Sequence, residues 1–251
     1  MARGGMSASG AGPSPIGLVI FDCDGVLVDS EPLSMRVLLG TIAEAGAVID
    51  VAQGYESFLG KSLASVTEIL RTDYGVDLGR HALDRMRERL YALFRRELRP
   101  IAGMAEVLAA MPVPFCVASS SQLERIRLSL DVTGLRGFFG DNIFSASMVA
   151  HGKPAPDLFL HAAREMRVEP ARCIVIEDAP AGIDAAKRAQ MRVLGFTGGS
   201  HAQSAVHRSM IASLEPSMVF EHMADLAGLM RELEPDPQSH VPASPGMDTK
   251  S

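Results

Sequence analysis

FDCDGVLVDSE, residues 21–31, follows directly on an apolar run that begins at Ile16. The run is short and continuously apolar, which is typical of a strand buried on both faces of a parallel sheet. Asp22 and Asp24 stand at its end with one residue between them, and two buried carboxylates this close together need a neutralising cation. The stretch therefore predicts a metal-assisted site at the edge of an α/β sheet where such folds bind their ligands.

Helical periodicity replaces the strand pattern after this stretch. Apolar residues recur at helical spacing from Met35, again from about Ser62, and again over about Arg80 to Leu98. No strand pattern interrupts residues 35–98. We therefore expect an all-helical insert directly after the first strand.

Strand-like and helical segments alternate from Pro100 onward, which indicates a return to the sheet. The fold class predicted is α/β, a Rossmann-like parallel-sheet core with an inserted all-helical domain. Five further strands are expected, at residues 115–118, 143–145, 173–176, 192–196 and 218–220. The boundaries expected are a disordered N-terminus at 1–13, a core at 14–31 and 101–234, the helical insert at 32–100 and a disordered tail at 235–251.

Composition and charge exclude several classes of protein. A hydrophobic fraction of 47% in 251 residues is ample for a packed core, and a net charge of −6 argues against a nucleic-acid partner. No apolar stretch reaches the roughly 18 residues of a membrane span, and the N-terminus lacks the apolar centre of a signal peptide. The cysteines, Cys23, Cys116 and Cys173, form no CxxC pair, so we expect buried, reduced thiols in a cytoplasmic protein.

Polar clusters follow three of the predicted strands. They are Asp22 with Asp24, Ser119–Ser121, and Glu177 with Asp178. Right-handed crossovers place the ends of parallel strands at one edge, so these clusters should converge, with Lys153 beside them. Such groups suit phosphoryl transfer, in which one carboxylate attacks phosphorus, a second moves a proton, and Mg²⁺ and a lysine neutralise the phosphate. The serines could also N-cap the next helix, which does not exclude phosphate binding there.

Four motifs of this chain resemble those of the haloacid dehalogenase-like (HAD) superfamily. They are the DxDGVxxDS pattern at 22–30, a strand ending in Ser119, GKPAPD at 152–157, and a strand ending in Glu177-Asp178. The helical insert is similar to the small cap of its β-phosphoglucomutase-like and sugar phosphatase members. The resemblance covers about residues 16–200. It implies a Mg²⁺-dependent phosphatase that hydrolyses a small sugar or sugar-acid phosphate monoester through an aspartyl-phosphate.

The resemblance also implies a role for each motif residue. Asp22 corresponds to the nucleophile and a metal ligand, and Asp24 to the general acid–base, whose backbone carbonyl also contacts the metal. Asp178, with Glu177 as a direct or water-mediated partner, would complete the metal site. The groups expected to hold phosphate are Ser119, Ser120, Lys153 and the turn at Gly25. Specificity is assigned to the cap loop at Gly60, Lys61 and Ser62.

Two alternatives remain open. One is a β-phosphoglucomutase-like mutase. Mutases of that type typically carry a histidine where this chain has Ser34 and basic residues where it has Leu59 and Leu63, so the resemblance favours a phosphatase. A non-catalytic phosphate-binding regulatory protein is the other alternative, and the intact acidic motifs argue against it.

The expected partner is a small phosphorylated metabolite. We expect the protein to bind neither nucleic acid nor a membrane, and to be a monomer or a weak dimer. His201 and His207 have no evident partner and are predicted to lie at the surface.

Overall fold

Six parallel strands form one sheet in this structure, a computed structural model that describes residues 15–59, 61–203 and 205–234. Their order across the sheet is β3-β2-β1-β4-β5-β6, so β1 is central and the winding reverses beside it. All six lie where apolar runs predicted them, and the α/β fold class is confirmed. The strands are β1 Leu18–Phe21, β2 Phe115–Ser119, β3 Ile143–Ser145, β4 Cys173–Glu177, β5 Arg192–Phe196 and β6 Met218–Phe220.

The side chains of β1 alternate between two hydrophobic clusters, one on each face of the sheet. Val19 and Phe21 pack into one cluster, and Leu18 and Ile20 into the other. All four are fully buried because helices cover both faces. This double burial explains why the strand is continuously apolar rather than alternating. The three cysteines are also buried and free, as predicted.

Eleven α-helices accompany the strands in the described chain, and none of them is long and apolar enough to cross a membrane. The predicted disordered termini, 1–13 and 235–251, lie outside the described residues. The helices are α1 Glu31–Glu44, α2 Val51–Phe58, α3 Leu63–Asp73, α4 Arg80–Glu97, α5 Met104–Ala109, α6 Leu123–Val132, α7 Arg136–Phe139, α8 Asp157–Glu165, α9 Pro180–Arg188, α10 Ala205–Ser213 and α11 Leu226–Leu233.

The insert consists of helices α1 to α4, with no strand in its described residues. The sequence pattern predicted only three helices there and missed α2. A capping box begins α2, in which the Asp50 carboxylate accepts from the Gln53 amide at 2.9 Å and the Gln53 side chain accepts from the Asp50 amide. This four-residue signal is visible in the sequence and would have located the helix.

A hydrophobic cluster of its own stabilises the insert. Met35, Ile42, Phe58 and Leu70 are among its buried members. The C-terminal half of α4 does not belong to it, because Phe94 packs into the cluster on one face of the sheet. That helix therefore ties the insert to the core. The exact boundaries at residues 32 and 100 stay a prediction.

The chain enters and leaves the insert at adjacent points. Val28 forms a bridge with Pro100, flanked by a hydrogen bond from the Asp29 amide to the Arg99 carbonyl at 3.0 Å. The Ile101 amide in turn donates to the Leu27 carbonyl at 3.0 Å. The two connections thus run side by side, and the first of them is part of the stretch at 21–31 that carries Asp22 and Asp24.

Candidate active site

The ends of β1, β2 and β4 bring the predicted clusters to one edge of the sheet. Asp22 continues the ladder beyond β1, since its amide donates to the Ile176 carbonyl at 3.0 Å. Ser119 and Glu177 are the last residues of the neighbouring strands. Groups from widely separated positions in the sequence therefore meet, as the parallel topology predicts.

Lys153 is the central cation of this edge. Its ammonium donates to Asp22 Oδ1 at 2.5 Å, to Glu177 Oε1 at 2.7 Å and to the Ala118 carbonyl at 2.9 Å. Only 3% of its side chain is exposed. Burial alone would lower the pKa of Lys153, but the charges of Asp22 and Glu177 outweigh it and raise the pKa above its ordinary value. The lysine is therefore held charged against the predicted nucleophile.

Negative charge exceeds positive charge around Asp22. Burial raises the pKa of Asp22 well above its ordinary value; Lys153 opposes this, while Glu177, Asp178 and Asp24 add to it. Carboxylate oxygens in excess of cations are the donor set that Mg²⁺ prefers. No three His, Cys, Asp or Glu side chains in the described part of the chain are arranged to hold an ion. A Mg²⁺ ion would therefore need a backbone carbonyl and water besides carboxylates. The predicted ligands, which are the carboxylates of Asp22 and Asp178 and the backbone carbonyl of Asp24, agree with this.

Glu177 has both carboxylate oxygens engaged. Oε1 accepts from Lys153, and Oε2 accepts from the backbone amides of Asp178 and Ala179, each at 2.9 Å. These contacts orient the lysine and fix the turn after β4. A direct or water-mediated contact of Glu177 with a metal stays a prediction.

Gly182 leaves the space that the Glu177 carboxylate occupies. A Cβ at this position in α9 would overlap Oε1 and Cδ of Glu177. We expect Gly182→Ala to lower the free energy of unfolding by about 1–3 kcal/mol, as overpacking does, and to reduce activity by displacing Glu177 from Lys153. Gly40→Ala is the matched control, because Gly40 lies within α1 with nothing near its Cβ position. Urea unfolding should show the control to be slightly more stable than the native protein; equal stability of both variants would contradict the prediction.

Asp24 is held by three donors. Ser30 Oγ and Arg125 Nη2 donate to Oδ1 at 2.6 and 2.8 Å, and Ser121 Oγ donates to Oδ2 at 2.6 Å. Burial would raise the pKa of Asp24, but Arg125 and the two hydroxyl donors outweigh it and lower the pKa below its ordinary value. In this arrangement Asp24 is a carboxylate.

Arg125 joins the core to the insert at this point. Besides Asp24, its Nη2 contacts Ser34 Oγ of α1 at 3.1 Å, and its guanidinium carbon lies 5.3 Å from the Phe94 ring centroid of α4. Sequence reasoning missed Arg125, because a single arginine in the amphipathic helix α6 is indistinguishable from a surface residue. Its partners lie 101 and 91 residues away in the chain.

The residues predicted to bind phosphate differ in their exposure and contacts. Ser119 is buried at the site, where its Oγ accepts from the Ser121 amide at 3.1 Å, whereas Ser120 is exposed. Gly25 has a φ of +84°, and a Cβ there would overlap the Asp178 carboxylate, so glycine is required. Its amide donates to the Val28 carbonyl at 2.8 Å and is engaged in the turn. Phosphate binding by these residues stays a prediction.

The prediction that His201 and His207 lie at the surface is wrong. Both are buried, in and after the loop that follows β5. His201 Nε2 is 2.8 Å from Asp178 Oδ2, and His207 Nε2 is 3.1 Å from the Asp178 carbonyl oxygen. The loop and helix that follow β5 carry them to this edge, and no local sequence pattern distinguishes these two histidines from surface residues.

The predicted specificity loop is described in part. Gly60 lies outside the described residues. Lys61 is exposed, and the exposed Ser62 caps α3 by accepting from the Ser65 amide at 3.2 Å. A role for these residues in substrate choice stays a prediction.

Comparison with known proteins gives a consistent result. The family model for haloacid dehalogenase-like hydrolases matches residues 16–190. The 6-phosphogluconate phosphatase of Escherichia coli (strain K12) is 31% identical over 219 residues, which cover 87% of this chain and 96% of that protein.

Two solved structures share the fold over most of both chains. A conserved haloacid dehalogenase-like protein of unknown function from Agrobacterium tumefaciens str. C58 is 34% identical with a TM-score of 0.78, covering 87% of this chain and 99% of that one. A HAD family hydrolase from Deinococcus radiodurans R1, with bound phosphate and sodium, is 32% identical with a TM-score of 0.71, covering 87% and 96%.

Proposed function

The chain belongs to the haloacid dehalogenase-like hydrolases and is a phosphatase, and we propose that it is a Mg²⁺-dependent enzyme for small sugar or sugar-acid phosphate monoesters. The observation that carries the proposal is the contact between the buried Lys153 ammonium and the carboxylate of Asp22. A buried carboxylate fixed by a cation at the end of a central strand is oriented for attack on an electrophile in the crevice above.

In the first step the Asp22 carboxylate attacks the phosphorus of the ester. An oxygen–phosphorus bond forms, the bond to the leaving alcohol oxygen breaks, and the product is an aspartyl-phosphate on Asp22. Lys153 holds Asp22 in place through Oδ1 and places positive charge beside the phosphate oxygens. Asp24 transfers a proton to the departing alkoxide.

In the second step water hydrolyses the aspartyl-phosphate. Asp24, now a carboxylate, takes a proton from the attacking water, and inorganic phosphate leaves as Asp22 is regenerated. The three donors around Asp24 favour this charged form. To act as an acid in the first step, Asp24 must carry a proton and exchange its contact with Arg125 for one with the leaving oxygen.

Residues Asp22 and Asp178, with the backbone carbonyl of Asp24, would hold the Mg²⁺ ion. When bound, the ion supplies neutralising charge to the phosphate oxygens and to the crowded carboxylates. The proposal is supported by the excess negative charge around Asp22, which a divalent cation would offset.

The polar groups beside Asp24 suit a polyhydroxylated leaving group. Glu31 begins α1, and burial together with the charge of Asp24 raises its pKa to about 7, against the opposing charge of Arg125. Ser34 and Arg125 add a hydroxyl and a guanidinium on the same side. Carboxyl, hydroxyl and guanidinium groups are the partners that sugar hydroxyls and carboxylates require. The name of the Escherichia coli relative agrees with this class.

We expect Asp24→Asn to impair esters with poor leaving groups most. Loss of a general acid–base costs about 10²–10⁴-fold, and an alkoxide depends on protonation far more than p-nitrophenolate does. kcat for a sugar phosphate should therefore fall by a larger factor than kcat for p-nitrophenyl phosphate. Asp131→Asn, at an exposed position of α6, is the matched control and should leave both values unchanged. Equal losses on the two substrates would argue against an acid role for Asp24.

A screen of phosphorylated metabolites tests the whole proposal. We expect release of inorganic phosphate from sugar or sugar-acid phosphates, dependent on Mg²⁺ and abolished by a chelator. Each reaction should also be followed for isomerised sugar phosphate. Isomerisation without phosphate release would identify a mutase, and tight phosphate binding without turnover would identify a non-catalytic protein; either result would overturn the proposal.

A further inference from the structure

Asp178 is contacted from one side by a pair of buried histidines. His201 Nε2 lies 2.8 Å from Asp178 Oδ2, and the His201 side chain is fully buried. The His207 ring packs edge-on against it, with the centroids 5.3 Å apart, and its Nε2 lies 3.1 Å from the Asp178 carbonyl oxygen. Both the side chain and the backbone of Asp178 are therefore held by the segment that follows β5.

The space around His201 is shaped to the imidazole ring. A Cβ added at Gly25 or at Gly199 would overlap the ring or lie closer to it than normal packing allows, so two glycines make room for it. Both ring nitrogens of His201 are buried, and neither has a hydrogen-bond partner among the described residues, so the 2.8 Å approach of Nε2 to Asp178 Oδ2 is an ion-pair contact. A ring that served only to fill space would be better replaced by an apolar side chain, because an unpaired buried polar atom costs free energy.

We propose that His201 is a positioning residue that fixes the Asp178 carboxylate for metal binding, an inference that rests on the proposed Mg²⁺ site. The Nε2–Oδ2 contact engages one oxygen of the Asp178 carboxylate and would leave Oδ1 for the metal. A histidine that holds a carboxylate ligand from behind orients that ligand, and loss of such a partner typically lowers metal affinity about 10–100-fold.

The contact also limits where Asp178 can turn. Glu177, directly before it, is already fixed by Lys153 and by two amides, and the turn at Gly25 lies close against the same Asp178 carboxylate. His201 is the remaining side-chain contact among the described residues that reaches an Asp178 carboxylate oxygen. Without it the carboxylate loses the side-chain contact that limits its rotation.

The test measures Mn²⁺ affinity directly, with Mn²⁺ as an observable substitute for Mg²⁺ in an electron paramagnetic resonance titration of the full chain. We expect His201→Leu, which keeps the volume but lacks the N–H, to weaken binding about 10–100-fold. His201→Gln, whose amide reaches a position near that of Nε2, should restore most of the affinity. His222→Leu, at an exposed position, should bind as the native protein does.

The outcomes separate this inference from the function on which it rests. If the native protein binds Mn²⁺ and His201→Leu binds it equally well, the positioning role is wrong while the metal site stands. Equal weakening by the Leu and Gln variants would also refute the role, because it would trace the effect to packing. If the native protein binds no Mn²⁺, the proposed metal site fails and this inference with it. Should His201→Leu not fold by circular dichroism, His201→Asn, whose amide is too short to reach Asp178, takes its place against His201→Gln.

Discussion

Asp22→Asn is expected to abolish phosphatase activity while leaving the fold intact. The carboxamide has nearly the same shape as the carboxylate but is not a nucleophile, so no aspartyl-phosphate can form. Loss of the nucleophile from a covalent mechanism lowers kcat by at least roughly 10⁴-fold. Lys153 keeps its contacts with Glu177 and the Ala118 carbonyl, so the site should not collapse. Inorganic phosphate release from p-nitrophenyl phosphate measures the loss.

A second measurement makes this prediction specific to the nucleophile. Rapid acid quenching of the native enzyme during turnover, followed by peptide mass spectrometry, should find a phosphoryl group on Asp22. The variant should show none, although its unfolding midpoint in urea stays close to the native value. A phosphoryl group found on another residue would contradict the assignment. Residual activity within about tenfold of the native value would also contradict it, because loss of a nucleophile lowers kcat far more than that.

Lys153→Met should damage both stability and activity. The lysine pairs with two carboxylates that are almost fully buried, and removing one partner of a buried ion pair costs about 3–5 kcal/mol. Activity should fall at least about 10²-fold as well, since a fixed donor to the phosphate oxygens is lost. Urea unfolding monitored by circular dichroism gives the first quantity, and p-nitrophenyl phosphate hydrolysis gives the second.

Lys187→Met is the matched control for this substitution. Lys187 is exposed on α9 and donates to the Leu214 carbonyl rather than to a carboxylate. Its replacement should leave activity unchanged and alter stability little, because exposed polar contacts contribute little. A Lys153→Met variant as stable as this control would show that Asp22 and Glu177 do not depend on the lysine for neutralisation.

The strands and the main site could be predicted because each leaves a local signal. A strand buried on both faces must be apolar throughout, as Leu18–Phe21 is, and a polar residue directly after such a strand lies at the ligand-binding edge. Those two rules located Asp22 and Asp178 without any knowledge of the contacts between them, whereas Lys153 was located by the GKPAPD motif in the loop after another predicted strand. Polar residues at the end of a buried strand can therefore be recognised from the chain alone.

Arg125 and His201 could not be predicted, because their roles depend on contacts across the fold. Arg125 lies within a helix whose other charged residues face solvent, and its ion pair with Asp24 exists only because α6 starts beside the end of β1. His201 follows a loop rather than a strand, and only the packing at Gly25 and Gly199 brings it to Asp178. Helix α2 was missed for a different reason. Its apolar face is short, although its capping box is visible in the sequence.

The side-by-side passage at Val28 and Pro100 makes the insert exchangeable in principle. Because the chain enters and leaves the insert at neighbouring points, a segment of different length or sequence can replace residues between them without disturbing strand order in the sheet. Such a graft must retain the second half of α4, whose Phe94 belongs to the core. Under this constraint, chimaeras that exchange only the part of the insert between α1 and the second half of α4 would test whether substrate preference resides there while the residues around Asp22 and Asp24 are kept.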